Sequence, residues 1–588
     1  MGNSDVLLVL AAFVVKCGFA QEDRSNACRP QYKASSDLGN FTHWAVSTEA
    51  ALCATVPRTI HGKGGNIADA AVATLLCMGV VLPQFMGIGG GFVATHYSRR
   101  DGQAMSLISR EVAPKAATTD MFVENATLSL MGNVQKFIIR GLSIAVPGEI
   151  RGYAELHKRL GGRLPWKALF EDAIRLANEG FPVGHYTPYA LCYEAPYLFA
   201  CPNGPCDSRW NAFWNFKRGS PLKQGEVLVQ KDLARTLEAI AENGPDYFYE
   251  GPFAEEMVRE IASEGAILTV EDLLSYRPTW EPALSVTLQD GRVLYTAPPP
   301  GGGAIYTYIM AIMDAFRSNV SAELQNDALT LHRFIEACKF GFAKRSLLGD
   351  PRFEDVRDVL QNLTSWDYAN ATRWKIDDDR TYQDPTHYGL DTAPAPENRG
   401  TAHLSLWEDD GDALSVTSTV NGYFGSMIRS SSGVIFNNQM NDFSTPGQSN
   451  FWGLPPSPAN LIKPDKRPQS SMSPIVVVDA NGDVEMVIGG SGGSKIITAV
   501  ALVSMRALWQ SGDIREAIDY ARLHEQLTAD DVMVEPQFPE TYARQLEEKG
   551  HKIQTVFGEF NNVMAVQRKN QRLQANADYR SDGGVDGS

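Results

Sequence analysis

Thr401 follows Gly400 in the segment Asn398-Arg399-Gly400-Thr401-Ala402-His403-Leu404-Ser405. It stands at a border, with a loop rich in Pro, Asp, Glu and Gly before it and a run of short strand-like segments after it. If the chain is cut between Gly400 and Thr401, the threonine gains a free α-amine beside its own hydroxyl. That pair is a nucleophile with a built-in base, the equipment of a self-processing amide-bond enzyme. Other residues carry partial signals. Gly492-Gly493 lies beyond a predicted strand end, where two consecutive amides could donate to an oxyanion; taken alone it reads as a tight turn. Arg110, in Ser109-Arg110-Glu111-Val112-Ala113-Pro114, is either an ion-pair partner of Glu111 or a carboxylate receptor, and spacing alone favours the ion pair. Ser470-Ser471, ahead of Met472-Ser473-Pro474, is by itself an ordinary loop. The polar run Asn437-Asn438-Gln439-Met440-Asn441-Asp442-Phe443 is either a turn held by Asx hydrogen bonds or a set of groups that grip an amino-acid head.

The elements that must hold these residues are legible in part. Residues 46–80 read as helices broken by the turn Gly62-Lys63-Gly64-Gly65-Asn66, with Asn66 an N-cap for a helix over Ile67–Met78. Residues 145–275 are mostly helical, clearest over Lys167–Asn178 and Leu233–Glu242. The stretch Leu284–Tyr295 is strand-like. Residues 376–400 carry five Asp, three Pro and two Gly with no apolar period, an exposed loop in which a chain can be cut. After it, Ala402–Trp407 and Ala413–Val420 alternate on either side of Asp410-Gly411, a hairpin signal, and Ile475–Asp479 and Val484–Ile488 flank Asn481-Gly482 in the same way. Leu502–Gln510 reads as a helix. Helices therefore dominate the first part and paired strands the second, which suggests stacked sheets between helical layers. With a two-residue Asp410-Gly411 loop, Thr401 faces Val420 beside Thr419, and a one-residue bulge would bring Thr419 itself opposite.

Composition excludes several classes. The 588 residues are 44% hydrophobic, enough for a large core and too apolar for disorder. A net charge of −16 without a Lys/Arg-rich run excludes nucleic acid as a partner and requires a local cation for any anionic substrate. The glycine clusters at Gly87-Ile88-Gly89-Gly90-Gly91 and Gly489-Gly490-Ser491-Gly492-Gly493 miss the phosphate-binding patterns, and close backbone approach is the better explanation. The ten His are scattered and the Cys spacings fit no metal site, so neither metal nor cofactor is expected.

The N-terminus looks like a cleaved signal peptide over residues 1–20, with an apolar run Val6–Val15 and small residues at Gly18 and Ala20; an uncleaved membrane anchor is the alternative. An exported chain would explain five N-x-S/T sequons, at Asn40, Asn125, Asn319, Asn362 and Asn370. It also suits disulfides: Cys201 and Cys206 flank a short turn-rich ring, and Cys53 and Cys77 flank one helix-turn unit. The pairing of Cys28 and Cys192 stays open, and Cys338 reads as a buried thiol.

In this order, Asp69-Ala70-Ala71, Gly87–Gly91, Ser109–Pro114, Leu347-Leu348-Gly349-Asp350-Pro351, Thr401–Ser405, Thr417–Asn421, Tyr423–Ser426, Ser470–Pro474 and Gly492-Gly493 resemble the γ-glutamyltransferase (γ-glutamyl transpeptidase) family over nearly the whole chain. The resemblance implies an α/β fold of the N-terminal-nucleophile hydrolase class, a four-layer αββα sandwich. It implies a precursor that cuts itself into a large subunit, 21–400, and a small catalytic subunit, 401–588, which stay together as a heterodimer. Thr401 would be the nucleophile, its freed amine the base, and Thr419 its orienting partner. The Gly492 and Gly493 amides would form the oxyanion hole. Arg110, Ser470 and Ser471 would hold the α-carboxylate of a γ-glutamyl group, and Asn421, Gln439 and Asp442 its α-ammonium. Cys53 and Cys77 match a disulfide of animal members. Gln439, Asn441 and Gly422 depart from what is common among animal members.

The expectation is therefore an extracellular γ-glutamyl hydrolase and transferase acting on glutathione and its S-conjugates. Water or an amino acid or dipeptide would accept the γ-glutamyl group, and no strong membrane association is expected. Two alternatives are a secreted pseudoenzyme that scavenges γ-glutamyl ligands without turnover, and a related acylase for a different acyl group. The intact Thr401, Thr419, Arg110 and Asp442 argue against the first. The second has no use for an Arg and Asp pair shaped for an amino-acid head.

Overall fold

The computed structural model describes Tyr32 and residues 35–123, 140–199, 204–317, 327–392, 400–447, 456–510, 512–527 and 531–588. Its framework is a pair of seven-stranded sheets. Their strands, in chain order, are β1 (Leu38–Phe41), β2 (Ala45–Thr48), β3 (Gly91–Ser98), β4 (Gln103–Ser109), β5 (Thr279–Pro282), β6 (Leu284–Thr287) and β7 (Val293–Thr296) before Gly400. From Gly400 onward they are β8 (Gly400–Trp407), β9 (Ala413–Asn421), β10 (Ile475–Val478), β11 (Val484–Ser491), β12 (Asn562–Lys569), β13 (Arg572–Ala577) and β14 (Gly584–Gly587). One sheet runs β14–β2–β8–β9–β3–β4–β5 and the other β1–β13–β12–β11–β10–β7–β6. Every neighbouring pair in both sheets is antiparallel.

Period-2 patterning places the strands between layers. On β8 and β9, Ala402, Leu404, Leu406, Leu414 and Val416 join a core with Val72, Leu75 and Leu76 of helix α1 (Ile67–Val81) and with Ile150 and Tyr153 of α2 (Glu149–Arg159). The alternate residues Trp407 and Ala413 face the other sheet and pack with Val476, Val487 and Val566. That second sheet is covered on its far side by α3 (Gly303–Ala315), α4 (Ala328–Arg345) and α5 (Lys495–Trp509). The result is an αββα sandwich. Thr401 and Thr419 have the odd-numbered parity of Trp407 and Ala413, so both belong to the inter-sheet face, at the end of their strands.

Local chemistry explains the helix that backs the nucleophile strand. Asn66 accepts the N–H groups of Ala68 and Asp69, and the Asp69 carboxylate accepts the Asn66 N–H, a reciprocal cap. Asp69 also accepts the Arg163 and Leu164 N–H groups, tying α1 to the turn after α2. The Cys53–Cys77 disulfide pins the middle of the same helix to the turn Ala51–Cys53.

The hairpin loops correct the expected register. Both hairpins use three-residue loops rather than two. The Glu408 N–H donates to Asp412 O and the Asp479 N–H to Asp483 O, and each loop ends on a left-handed glycine, Gly411 at φ 86° and Gly482 at φ 82°. A left-handed glycine at the third position is the usual closure of such a loop. The longer loop sets Ala402 opposite Ser418, and the ladder then slips at Thr401 so that Gly400 faces Asn421.

Helix and strand are also more evenly spread than the pattern implied. Residues 45–48 are a strand, not the start of a helix, because they extend the sheet beside β8. Leu284–Tyr295 is a hairpin, β6 and β7, turned at residues 288–292. Cys338 is a buried free thiol. Cys206 and Cys192 are both disulfide-bonded, and Cys201, expected to close a ring with Cys206, lies outside the described residues. Residues 1–20, Asn125 and Asn319 lie outside them as well; Asn40 and Asn362 are exposed and Asn370 half-buried. Among the described residues no helix is long and apolar enough to cross a membrane.

Candidate active site

The slip in the β8–β9 ladder brings the Thr401 and Thr419 hydroxyls side by side. Thr401 Oγ1 lies 3.5 Å from Thr419 Oγ1, at the outer edge of hydrogen bonding. Thr419 Oγ1 donates to the carbonyl oxygen of Gly400, the acyl side of the Gly400–Thr401 bond, and accepts the Asn421 N–H at 2.7 Å. Asn421 adopts a left-handed conformation, φ 80°, and its side-chain amide donates to Asn438 O at 3.1 Å. The close pairing leaves no room at 400 for a side chain: a Cβ there would meet Gly422 O at 2.6 Å and Asn421 O at 2.7 Å.

Thr401 and Thr419 line one pocket with Arg110, Asn421, Gln439, Asp442, Ser470, Ser471, Met472, Gly493 and Ile496. The space it encloses, its mouth open to solvent included, is about 230 Å³. Arg110 emerges at the end of β4 and is fully buried. Its guanidinium donates to Asp442 at 2.7 Å and to the carbonyls of Gln469 at 3.0 Å and Pro468 at 3.3 Å; Glu111 is more distant, at 3.7 Å. The main ion-pair partner is thus Asp442, not the sequence neighbour. Gln439 donates to the same Asp442 oxygen at 2.7 Å. Arg110 Nη1, Gln439 Oε1 and Asp442 Oδ1 have no hydrogen-bond partner among the described residues. One unused cationic donor beside two unused acceptors, one of them anionic, is the complement of a carboxylate and an ammonium. Ser470, held by its N–H to Pro300 O at 2.8 Å, and Ser471 also line the recess.

Gly492 and Gly493 follow β11 with φ of 121° and 65°, conformations that favour glycine, and the chain then enters α5. A turn that leads into a helix N-terminus favours negative charge. Only Gly493 lines the pocket itself. The other glycine cluster serves packing: a Cβ at Gly89 would meet Ile435 O at 2.1 Å and one at Gly90 would meet Thr419 O at 2.3 Å.

Around the pocket lies a shell of buried ionisable groups. Burial pushes the Glu111 carboxyl up to about 7, against the pull of Arg110, and the Glu149 carboxyl up to about 8 although Tyr153 and Ser418 donate to it. His403, between the sheets, donates or accepts at Thr417 Oγ1 (2.8 Å) and Ser405 Oγ (3.1 Å), and burial drives its ring down to about 3, so it is neutral. The arrangement can therefore place a threonine hydroxyl beside an amino-acid-shaped recess. The histidine nearest in sequence is too deeply desolvated to serve as a charged acid.

The structure thus gathers nine of the ten expected residues around one recess, all but Gly492. The polar run 437–442 divides: Gln439 and Asp442 face the pocket, while Asn437 spends its amide on Gly89 and Ala145 and Asn438 holds the Gly422 N–H. Two residues, Arg345 and Glu49, escaped the sequence reading. Arg345, at the end of α4, places a second buried cation beside Asp442. Asn438 and Glu49 brace the two threonine strands. A helical Arg or a lone Glu carries no local signal. Among the described residues His332, Glu336 and His551 have donor types for a metal, but the two imidazoles bond each other at 2.7 Å and the Lys339 ammonium stands 3.5 Å from Glu336.

An αββα sandwich with a threonine as the second residue of an interior strand, and a glycine turn that brings Gly493 into the same recess, is the architecture of the N-terminal-nucleophile hydrolases. The profile of the family described as Gamma-glutamyltranspeptidase matches residues 53–588. Scoloptoxin SSD14 of Scolopendra dehaani is 42% identical, over 99% of this chain and 98% of that protein. Glutathione hydrolase proenzyme 1 of Schizosaccharomyces pombe is 36% identical, over 91% and 83%. The crystal structure of cephalosporin acylase from Bacillus halodurans superposes with a TM-score of 0.78 at 26% identity, covering 95% of this chain and 98% of that one. The chain belongs to the γ-glutamyltranspeptidase family and is an enzyme.

Proposed function

We propose that this chain is an exported precursor that cuts itself between Gly400 and Thr401 and then hydrolyses or transfers γ-glutamyl groups, with glutathione and its S-conjugates as donors. The observation that carries this is the recess that pairs Thr401 with Arg110 and Asp442. A glutamyl head seated by its carboxylate and ammonium points its side chain outward, and a γ-amide is the electrophile that a hydroxyl at the recess can reach. An acyl group without that head leaves Arg110 and Asp442 without a task. Relatives named as proenzymes and as glutathione hydrolases, and one named as a toxin, support self-processing, the donor and export in turn.

In the precursor, Thr401 Oγ attacks the Gly400 carbonyl carbon while Thr419 donates to its oxygen. The C–N bond breaks, the nitrogen takes the hydroxyl proton, and water hydrolyses the resulting ester, leaving a Gly400 carboxylate and a free Thr401 amine. In the mature enzyme that amine takes the Thr401 hydroxyl proton as Oγ adds to the γ-carbonyl of the donor. The Gly492 and Gly493 amides receive the oxyanion. The proton passes to the departing amine, and water or the amine of an amino acid or dipeptide resolves the γ-glutamyl ester. The large and small subunits, 21–400 and 401–588, stay associated.

Intact mass and N-terminal sequencing of purified protein, with turnover of γ-glutamyl-p-nitroanilide, test this directly. Two chains, one beginning at Thr401, together with release of p-nitroaniline are expected. A single active chain, or a cut chain without turnover, would refute the mechanism; the second result would favour a ligand-binding role.

A further inference from the structure

Glu49 directly follows β2, and its side chain is buried between the two sheets. The ladder between β2 and β8 ends at the pair Thr48–Leu404, so the next N–H on β8, that of His403, needs an acceptor outside the sheet. Glu49 Oε2 supplies it at 2.9 Å. The other oxygen reaches across to the second sheet: Oε1 accepts the Ser491 hydroxyl at 2.5 Å and the Asn562 amide at 2.8 Å. Ser491 is the last residue of β11 and the neighbour of Gly492, and Asn562 opens β12 opposite it and also donates to Ser491 Oγ at 3.2 Å. One carboxylate therefore joins the strand that starts at Gly400-Thr401 to the strand that delivers Gly492-Gly493.

We propose that Glu49 is a positioning residue: its carboxylate sets the separation between the nucleophile strand and the oxyanion turn, and so governs acyl transfer rather than donor binding. The inference rests on the Thr401 reading above. A carboxylate suits the task because two oxygens accept three donors. A glutamine in its place keeps one acceptor and turns an N–H toward a donor, so at least one link is lost. An aspartate keeps the charge but is one methylene short of spanning both sheets.

The charge state of the strut matters for the same reason. Burial raises the Glu49 carboxyl to about 7, opposed by the Ser491, Asn562 and His403 donors and reinforced by Asp578. Asp578 is itself bound to Arg522 and Arg580. Tyr186 donates to Asn562 Oδ1, and the His403 ring is neutral. A protonated Glu49 would present a hydroxyl to three donors, and one side of the strut would let go.

The test compares wild type, Glu49→Gln and Glu49→Asp with γ-glutamyl-p-nitroanilide from about pH 5.5 to about pH 9. In Glu49→Gln, kcat should fall about tenfold to a hundredfold, less than the loss of a whole oxyanion donor, with KM within about twofold because Arg110, Asp442 and Ser471 are untouched. The acidic limb of kcat should become shallower, reporting the Thr401 amine alone instead of the amine and Glu49 together. Glu49→Asp should recover part of kcat. If Glu49→Gln does not mature, Ser491→Ala cuts one arm of the strut, with an expected kcat loss of about threefold to tenfold at constant KM. Wild-type kcat in either variant, or a parallel loss in kcat and KM with an unchanged pH profile, overturns the proposal. An inactive wild type would remove the Thr401 reading and this inference with it, whereas an active wild type with an indifferent Glu49→Gln removes this inference alone.

Discussion

Thr419 Oγ1 donates its hydrogen bond to the carbonyl oxygen of Gly400, the residue joined to Thr401. The hydroxyl expected to orient the nucleophile thus lies, in the uncut chain, on the bond that must break. A Thr419→Val chain keeps the shape and loses the donor. Its conversion to two fragments should slow by about a hundredfold, the scale of one lost oxyanion donor. A time course on denaturing gels measures this, and cleavage at the wild-type rate would contradict the role. Thr401→Ala should stay whole indefinitely.

Arg110 and Asp442 form the floor of the recess as a buried pair. Asp442→Asn leaves Arg110 without its partner and removes the anion offered to an ammonium. KM for a γ-glutamyl donor should rise by about a hundredfold, equivalent to about 3 kcal/mol, and more than kcat falls. Arg110→Lys should not rescue binding, because an ammonium cannot reproduce the planar fork that meets Asp442, Pro468 and Gln469. Steady-state kinetics with unchanged KM in Asp442→Asn would exclude the head-group assignment.

Gly492→Ala should damage the chemical step. The added Cβ would sit 2.8 Å from the Asn561 Cβ, and φ at 121° already disfavours any side chain. The turn must move, so kcat should drop by at least about tenfold while KM changes little. An alanine variant as fast as wild type would mean that the turn takes no part in the reaction.

Stability should fall as pH rises from about 6.5 to about 8. Glu49, Glu111 and Glu525 are pushed up to about 7 and Glu149 to about 8, all chiefly by burial. From about pH 4.3, where unfolded carboxyls release protons, up to these values, the folded chain holds the extra protons, so stability falls as pH rises through the folded values. His403 and His524 are driven down to about 3 by burial. Below about pH 6.5 the unfolded histidines take up protons that the folded ones refuse, so stability also falls as pH drops. Between about pH 6.5 and about pH 8 only the carboxyls act. Thermal melting of the single-chain Thr401→Ala protein should give a lower Tm at about pH 8.5 than at about pH 6.5, with Glu149→Gln narrowing the difference. A higher Tm at the more alkaline pH would refute this.

What the sequence made legible was whatever is periodic or local. The alternation on either side of Asp410-Gly411 foretold the β8–β9 pair, and Asn66 foretold the start of α1. The register was missed by one because a glycine that ends a three-residue loop looks the same in sequence as one that ends a two-residue loop. The strands before Gly400 were undercounted because four-residue strands such as Ala45–Thr48, buried on both faces, show no alternation. Within the site, Thr401 stood out by its place at a composition border, but Arg110 and Asp442 were brought together only through the ordered set of motifs, since 332 positions separate them. Arg345 and Glu49 stayed hidden, as their meaning lies wholly in partners brought in from other layers.

The order of strands has a consequence for how the molecule can be made at all. In one sheet the strands after Gly400 occupy the middle and those before it lie outside; in the other β8 and β9 run between β2 and β3, and β14 closes the edge beyond β2. Neither stretch owns a complete sheet. A chain cut at Gly400 would therefore hold together as two interlocked strips without a covalent bond, yet the strips could not find that arrangement from solution, because each would expose open strand edges before meeting the other. The fold is a one-way assembly: it can be reached only by the uncut chain, and whatever happens at Gly400 afterwards erases the route. Denatured Thr401→Ala protein should recover its structure on dilution, whereas a denatured two-fragment sample should precipitate.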